Sequence, residues 1–220
     1  MIDRARRTWL RASRPVATVL LCGVVATGLQ GCIEMAIGTA VMGTIAASDR
    51  RTFGAQTEDK AIALKAESRV PQIVGDGGHV NIASFNRKVL LTGEVRDEAM
   101  KAAVEREVAG LDGVNSVVNE LQVGGVSNYT SRSNDALLTG EVKASFVDAK
   151  DLYANSIKVV TERGTVYLMG RVSQREATLA TEIARGVPRV QKVVRVFELI
   201  DDNELKQISS PAAQPAALTQ

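Results

Sequence analysis

Thiols, imidazoles and large aromatic rings are nearly missing from this 220-residue chain. Both cysteines, Cys22 and Cys32, fall within the first 32 residues. The remainder therefore has no disulfide framework, thiolate metal site or cysteine nucleophile. One histidine, His79, cannot supply a two-histidine metal site. It follows Gly75-Asp76-Gly77-Gly78, a glycine-rich stretch that precedes a strand-like run. This stretch lacks the Lys-Ser/Thr and following helix of a phosphate loop. Nothing places a serine and an acid beside His79 as a nucleophilic relay needs, so it reads as a turn residue. Aromatics make up 4% of the chain, too few for base-stacking platforms, and no nucleic-acid partner is expected. The acids Asp97, Glu98, Glu105 and Glu107 interleave with Arg96, Lys101 and Arg106, the composition of a solvated helix face. No catalytic residue and no metal ligand emerges.

A strong excess of charge of either sign is also missing. The formal charge is +2, but Arg4, Arg6, Arg7, Arg11 and Arg14 face only Asp3 within the first 31 residues. Without that segment 22 basic and 24 acidic side chains remain, and no global field attracts polyanions. The arginines precede nineteen uncharged residues, Pro15 to Ile33. A basic start, a short apolar run and small residues form the pattern of a secretory signal. The alternative is a retained membrane span, which needs about 20 apolar residues. Pro15, three glycines and Gln30 make this a poor one. Leu29-Gln30-Gly31-Cys32 resembles a lipobox. The resemblance implies cleavage before Cys32, with diacylglycerol on its thiol and an acyl chain on its new amine. Several acyl chains anchor a protein far more firmly than one. Ile33 in place of Asp implies sorting to the outer membrane, on its periplasmic face.

An internal repeat fills the middle of the chain. VLLTGEV from Val89 and VYLMGRV from Val166 align, with Gly93 matching Gly170 at an offset of 77. Val114 and Val117 match Val190 and Val193 at an offset of 76. Each copy reads as helix, two alternating strands, helix, strand. The first helices are expected over Thr57–Val70 and Asn134–Leu152, the latter capped by Asn134 or Asp135. Hairpins follow, turning near Asn86-Arg87 and at Glu162-Arg163-Gly164. The second helices are expected over Asp97–Ala109 and Gln174–Arg185, with Gly110 and Gly186 at their C-caps. Closing strands span Val114–Val123 and Val190–Ile200, reached by right-handed crossovers. Gly93 and Gly170 read as strand positions where a side chain would clash. Asn128-Tyr129-Thr130 matches a glycosylation sequon by chance. The expected fold class is α+β: two tandem αββαβ modules, each a three-stranded mixed sheet packed against two helices.

The strand–glycine–strand core, the alanine-rich helix and the closing GV…VVN pattern resemble the BON domain. Two such modules behind a lipobox resemble the dual-BON outer-membrane lipoproteins associated with division and outer-membrane stress. Expected divisions are a signal at 1–31, a lipid-anchored tether at 32–56, BON modules at 57–124 and 133–202, a linker at 125–132 and a disordered tail at 203–220. The tether, rich in Ala, Gly and Thr, reads as a spacer or as a surface packed on lipid or a partner. The resemblance implies that the first helix of module 2 binds anionic phospholipid, phosphatidylglycerol or cardiolipin. Leu137 lies about 100° from the Leu138/Val142 stripe and should face solvent. Leu137, Gly140, Lys143 and Val147 are the expected lipid-binding residues, with Lys150 and Lys158 nearby. The resembled family carries an aromatic where this chain has Leu137, and Glu141 and Asp148 reduce the local positive charge. Beyond the acyl groups on Cys32 no cofactor is expected. The alternative function is a protein-interaction adaptor of an envelope complex, without lipid specificity of its own.

Overall fold

A computed structural model describes residues 49–201 and 203–205. Cys32, the lipobox, most of the expected tether and the tail beyond residue 205 lie outside the described residues.

Module 1 begins with α1 (Phe53–Val74), whose N-cap Thr52 accepts a hydrogen bond from the Ala55 amide at 3.1 Å. The helix starts four residues before the expected Thr57 and runs four past Val70, through Pro71. Strands β1 (Gly78–Phe85) and β2 (Lys88–Val95) pair antiparallel. Their two-residue turn, Asn86-Arg87, has φ of 50° and 65°, the positive pair that matches strand twist. Helix α2 (Glu98–Ala109) is capped by Asp97, and Gly110 is its C-cap. The closing strand is broken into β3 (Ser116–Asn119) and β4 (Gln122–Val123), both parallel to β2, where one strand over Val114–Val123 was expected.

Module 2 repeats the plan. Helix α3 (Tyr129–Asp148) is followed by β5 (Ile157–Glu162) and β6 (Thr165–Val172), paired antiparallel. Helix α4 (Gln174–Gly186) opens with a complete capping box between Ser173 and Glu176. Gly186 is its last residue rather than its cap, which is Val187. Strand β7 (Lys192–Leu199) pairs parallel with β6. Asn203–Leu205, expected to open a disordered tail, form a helical turn in which Asp201 Oδ1 accepts from the amides of Asn203 and Glu204.

Side-chain alternation explains how the modules meet. On β2, Val89, Leu91 and Val95 pack with Ile62, Ala66 and Val70 of α1 and Val104 and Val108 of α2. On β6, Val166, Leu168 and Val172 pack with Leu138, Val142 and Phe146 of α3 and Ala177, Ala180 and Ala184 of α4. The opposite faces join in a third core of Ala83, Phe85, Leu90, Val160, Tyr167, Met169 and Val196. The two sheets thus pack face to face between outer helices, giving four layers. Asn86 Nδ2 donates to Glu198 at 2.7 Å across this seam, and Lys158 Nζ donates to the Ser84 carbonyl at 3.2 Å.

The residues before α1 fasten to both modules. Arg50 is buried and makes a two-pronged contact with Glu176, 2.9 Å to Oε2 and 2.6 Å to Oε1. Burial acts to raise the Glu176 pKa, but the Arg50 and Ser173 hydrogen bonds outweigh it and hold the carboxyl below its usual range. Arg51 contacts Asp49 and Asp59 at 2.6 Å each and lies over the Phe85 ring. The segment expected as tether is, in these last residues, part of the folded unit.

Candidate lipid-facing site

Helix α3 starts five residues before the expected Asn134. Asn128, not Asn134 or Asp135, is the cap, with Oδ1 accepting from the Ser131 amide at 2.8 Å. Asp135 instead lies buried and accepts from the Arg163 and Gly164 amides of the β5–β6 turn, both at 2.9 Å. Asp59 occupies the matching place in module 1, accepting from the Asn86 and Arg87 amides at 2.7 and 2.8 Å. In both modules an aspartate on the first helix thereby holds the hairpin turn against that helix. This anchoring fixes which face of α3 turns inward.

Leu138, Val142 and Phe146 turn into the core. Leu137, Gly140, Lys143 and Val147 are all exposed, as expected, and share the outer side of the helix. Leu137 is 62% and Val147 71% accessible. Gly140 has nothing within 4 Å of where a side chain would begin, so the surface dips between them. Tyr129, at 85% accessible, starts the same stripe at helical spacing. Tyr129 falls inside the expected linker, 125–132, and the signal that finds it on the helix is Asn128 as a cap. Tyr153, just beyond the helix, is 65% accessible, with Arg50 beside its ring at 5.2 Å from the centroid. The aromatic missing at Leu137 is thus accompanied by two exposed tyrosines flanking the helix.

The charge pattern differs from expectation in two respects. Lys158 does not flank the stripe: it turns into the seam between sheets, and burial lowers its pKa, reinforced by Arg51. Glu141, expected to repel anions, is paired with Arg189. Lys143 and Lys150 remain exposed, as does Asp148. This face offers apolar contact and a few cations.

A second feature lies at the edge of the seam. His79 of β1, Glu94 of β2 and Glu162 of β5 present donor atoms all within 4.8 Å of one another. His79 and Glu162 line a cleft of about 400 Å³ shared with Asn81, Arg132 and Thr139, and Glu94 lies behind them. Glu94 is fully buried; its Oε2 accepts from the Ser127 amide at 3.1 Å, while Oε1 has no hydrogen-bond partner among the described residues. Burial, with the charges of Glu94 and Asp135, pushes the Glu162 carboxyl up to about 7. Burial and the Arg132 charge push His79 below its usual value, against the pull of Glu94.

The BON domain model matches residues 59–125 and 134–201, the two modules just described. The chain belongs to the BON-domain family. It is 38% identical over 177 residues to the outer membrane lipoprotein DolP of Haemophilus influenzae, covering 79% of this chain and 91% of that protein. It is 29% identical to the osmotically-inducible protein Y of Escherichia coli, covering 84% of this chain and 95% of the relative. It is 28% identical to the 21 kDa hemolysin of Actinobacillus pleuropneumoniae, covering 69% and 79%. None of the three names is that of an enzyme. With the lipoprotein relative matched over nearly its full length, this BON protein is placed at the outer membrane on a lipid anchor. No helix among the described residues is long and apolar enough to cross a membrane.

Proposed function

We propose that this BON protein is a non-enzymatic lipoprotein that engages anionic phospholipid through the outer face of α3, supporting envelope integrity and cell-division-site function. Cys32 would carry the diacylglycerol and the N-acyl chain. The observation that carries the reading is the exposed stripe of Tyr129, Leu137 and Val147 with Lys143 beside it. Isolated exposed leucines need no explanation, but several large apolar groups along one helix face form a surface that enters a lipid interface. Lysines at that depth meet the head-group charge of phosphatidylglycerol or cardiolipin. The anchor keeps module 2 close to the bilayer, so a weak contact is amplified by effective concentration.

Vesicle sedimentation of the chain without its acyl groups tests this. Binding is expected to favour vesicles containing phosphatidylglycerol or cardiolipin over purely zwitterionic ones. Leu137→Glu should reduce it at least about tenfold, with folding stability changed by less than about 0.5 kcal/mol. Equal binding to both vesicle types, or unchanged binding by Leu137→Glu, would reject it. Capture of an envelope protein that survives detergent and high salt, without lipid preference, would favour the adaptor reading.

A further inference from the structure

We propose that His79, Glu94 and Glu162 form a binding site for one divalent transition-metal cation of the zinc class, bridging the two modules. His79 and Glu94 belong to module 1 and Glu162 to module 2, so no single module holds the set. The donor atoms lie within 4.8 Å of one another. Bound zinc sits about 2.0–2.2 Å from nitrogen and oxygen ligands, so the three need to close by only about 1 Å. Two observations beyond the cluster point to a ligand. Glu94 is wholly buried and its Oε1 accepts no hydrogen bond among the described residues, although a buried carboxylate oxygen without a partner is costly. His79 Nδ1 likewise has no hydrogen-bond partner among the described residues and lies 3.9 Å from Glu94 Oε2. A cation between them satisfies both.

The donor set selects the metal class. One imidazole and two carboxylates suit zinc and neighbouring transition ions, whereas calcium and magnesium prefer oxygen-only shells with more ligands. The adjoining cleft supplies room for water as a fourth ligand. The Ser127 amide bonded to Glu94 Oε2 orients that carboxylate from behind. Two arginines compete for the site: Arg132 lines the same cleft and its charge acts on both His79 and Glu162, while Arg163 Nη1 stands 3.8 Å from Glu94 Oε1, beyond hydrogen-bond reach, with its side chain 46% accessible. Arg163 can leave for solvent when a metal enters. This donor set differs from the two-histidine arrangement that the sequence excluded, because the fold brings together residues from three strands.

The test titrates the full lipidated chain in detergent, stripped with chelator and purified without a histidine tag, with zinc chloride. One zinc ion per chain at micromolar or tighter affinity is expected. His79→Gln and Glu162→Gln should each weaken it at least tenfold. Both positions lie at the cleft, and unchanged circular dichroism would show the variants folded. X-ray absorption of the loaded protein should show one imidazole among the zinc ligands, and the chain has a single histidine to provide it. Absence of binding, binding unaffected by both substitutions, or a shell without imidazole would overturn the proposal.

Discussion

Gly93 and Gly170 set how closely two strands can lie. A Cβ on Gly93 would stand 2.1 Å from the His79 carbonyl, and its φ of +114° disfavours any side chain. A Cβ on Gly170 would stand 2.6 Å from the Ser156 carbonyl. Backbone strain and overpacking each cost about 1–3 kcal/mol, so Gly93→Ala should destabilise by about 3 kcal/mol. Gly170→Ala carries only the packing penalty and should cost less. Urea denaturation with an unchanged m-value would check both. These glycines were legible, because each repeat places one at the same point in an apolar strand. Asp59 and Asp135 were not: an aspartate in a helix looks like a solvated charge or a cap until the hairpin amides it accepts from are known. His79, Glu94 and Glu162 were illegible as a group for a related reason. They are separated by 15 and 68 positions in the sequence, and only sheet packing makes them neighbours.

At the scale of elements, periodicity located the four long helices and the hairpin strands of the two modules, but not the 3-10 turns Gly75–Gly77 and Ala154–Ser156, the break between β3 and β4, or all boundaries and faces. In β5, Ile157, Val159 and Thr161 alternate with Lys158, Val160 and Glu162, a sequence pattern in which the second, charged set would meet water. Instead Val160 and Glu162 are buried too, against the other module. Lys158 and Glu162 on that set conceal the second buried face, because strand charges read as solvent contacts. The start of α3 was misplaced because Asn134 and Asp135 are as plausible a cap as Asn128. Asn128→Ala removes the bond to the Ser131 amide and should cost about 1 kcal/mol of stability. It should also loosen the first turn that presents Tyr129. Faster amide exchange confined to the first turn of α3 would be the sign; unaltered exchange there would place the cap elsewhere.

For the whole molecule, the seam between sheets matters most. Its apolar core, with Leu90 and Met169 fully buried, spans both modules, so they should unfold as one cooperative unit. Leu90→Ala should cost about 2–5 kcal/mol. It should also lower the unfolding temperature of both modules, although Leu90 belongs to module 1; calorimetry would show whether one transition splits into two. Burying the sheets against each other leaves helix faces as the outer surfaces, and on α3 of module 2 that surface carries the Tyr129–Val147 stripe. Its proposed ligand is anionic lipid. The most direct measurement is a residue-by-residue NMR titration of the isotopically labelled chain, without acyl groups, against micelles containing phosphatidylglycerol. Perturbations concentrated at Tyr129, Leu137, Gly140, Lys143 and Val147, and weak with zwitterionic micelles, are the predicted result. Perturbations centred on module 1 or indifferent to head-group charge would contradict it.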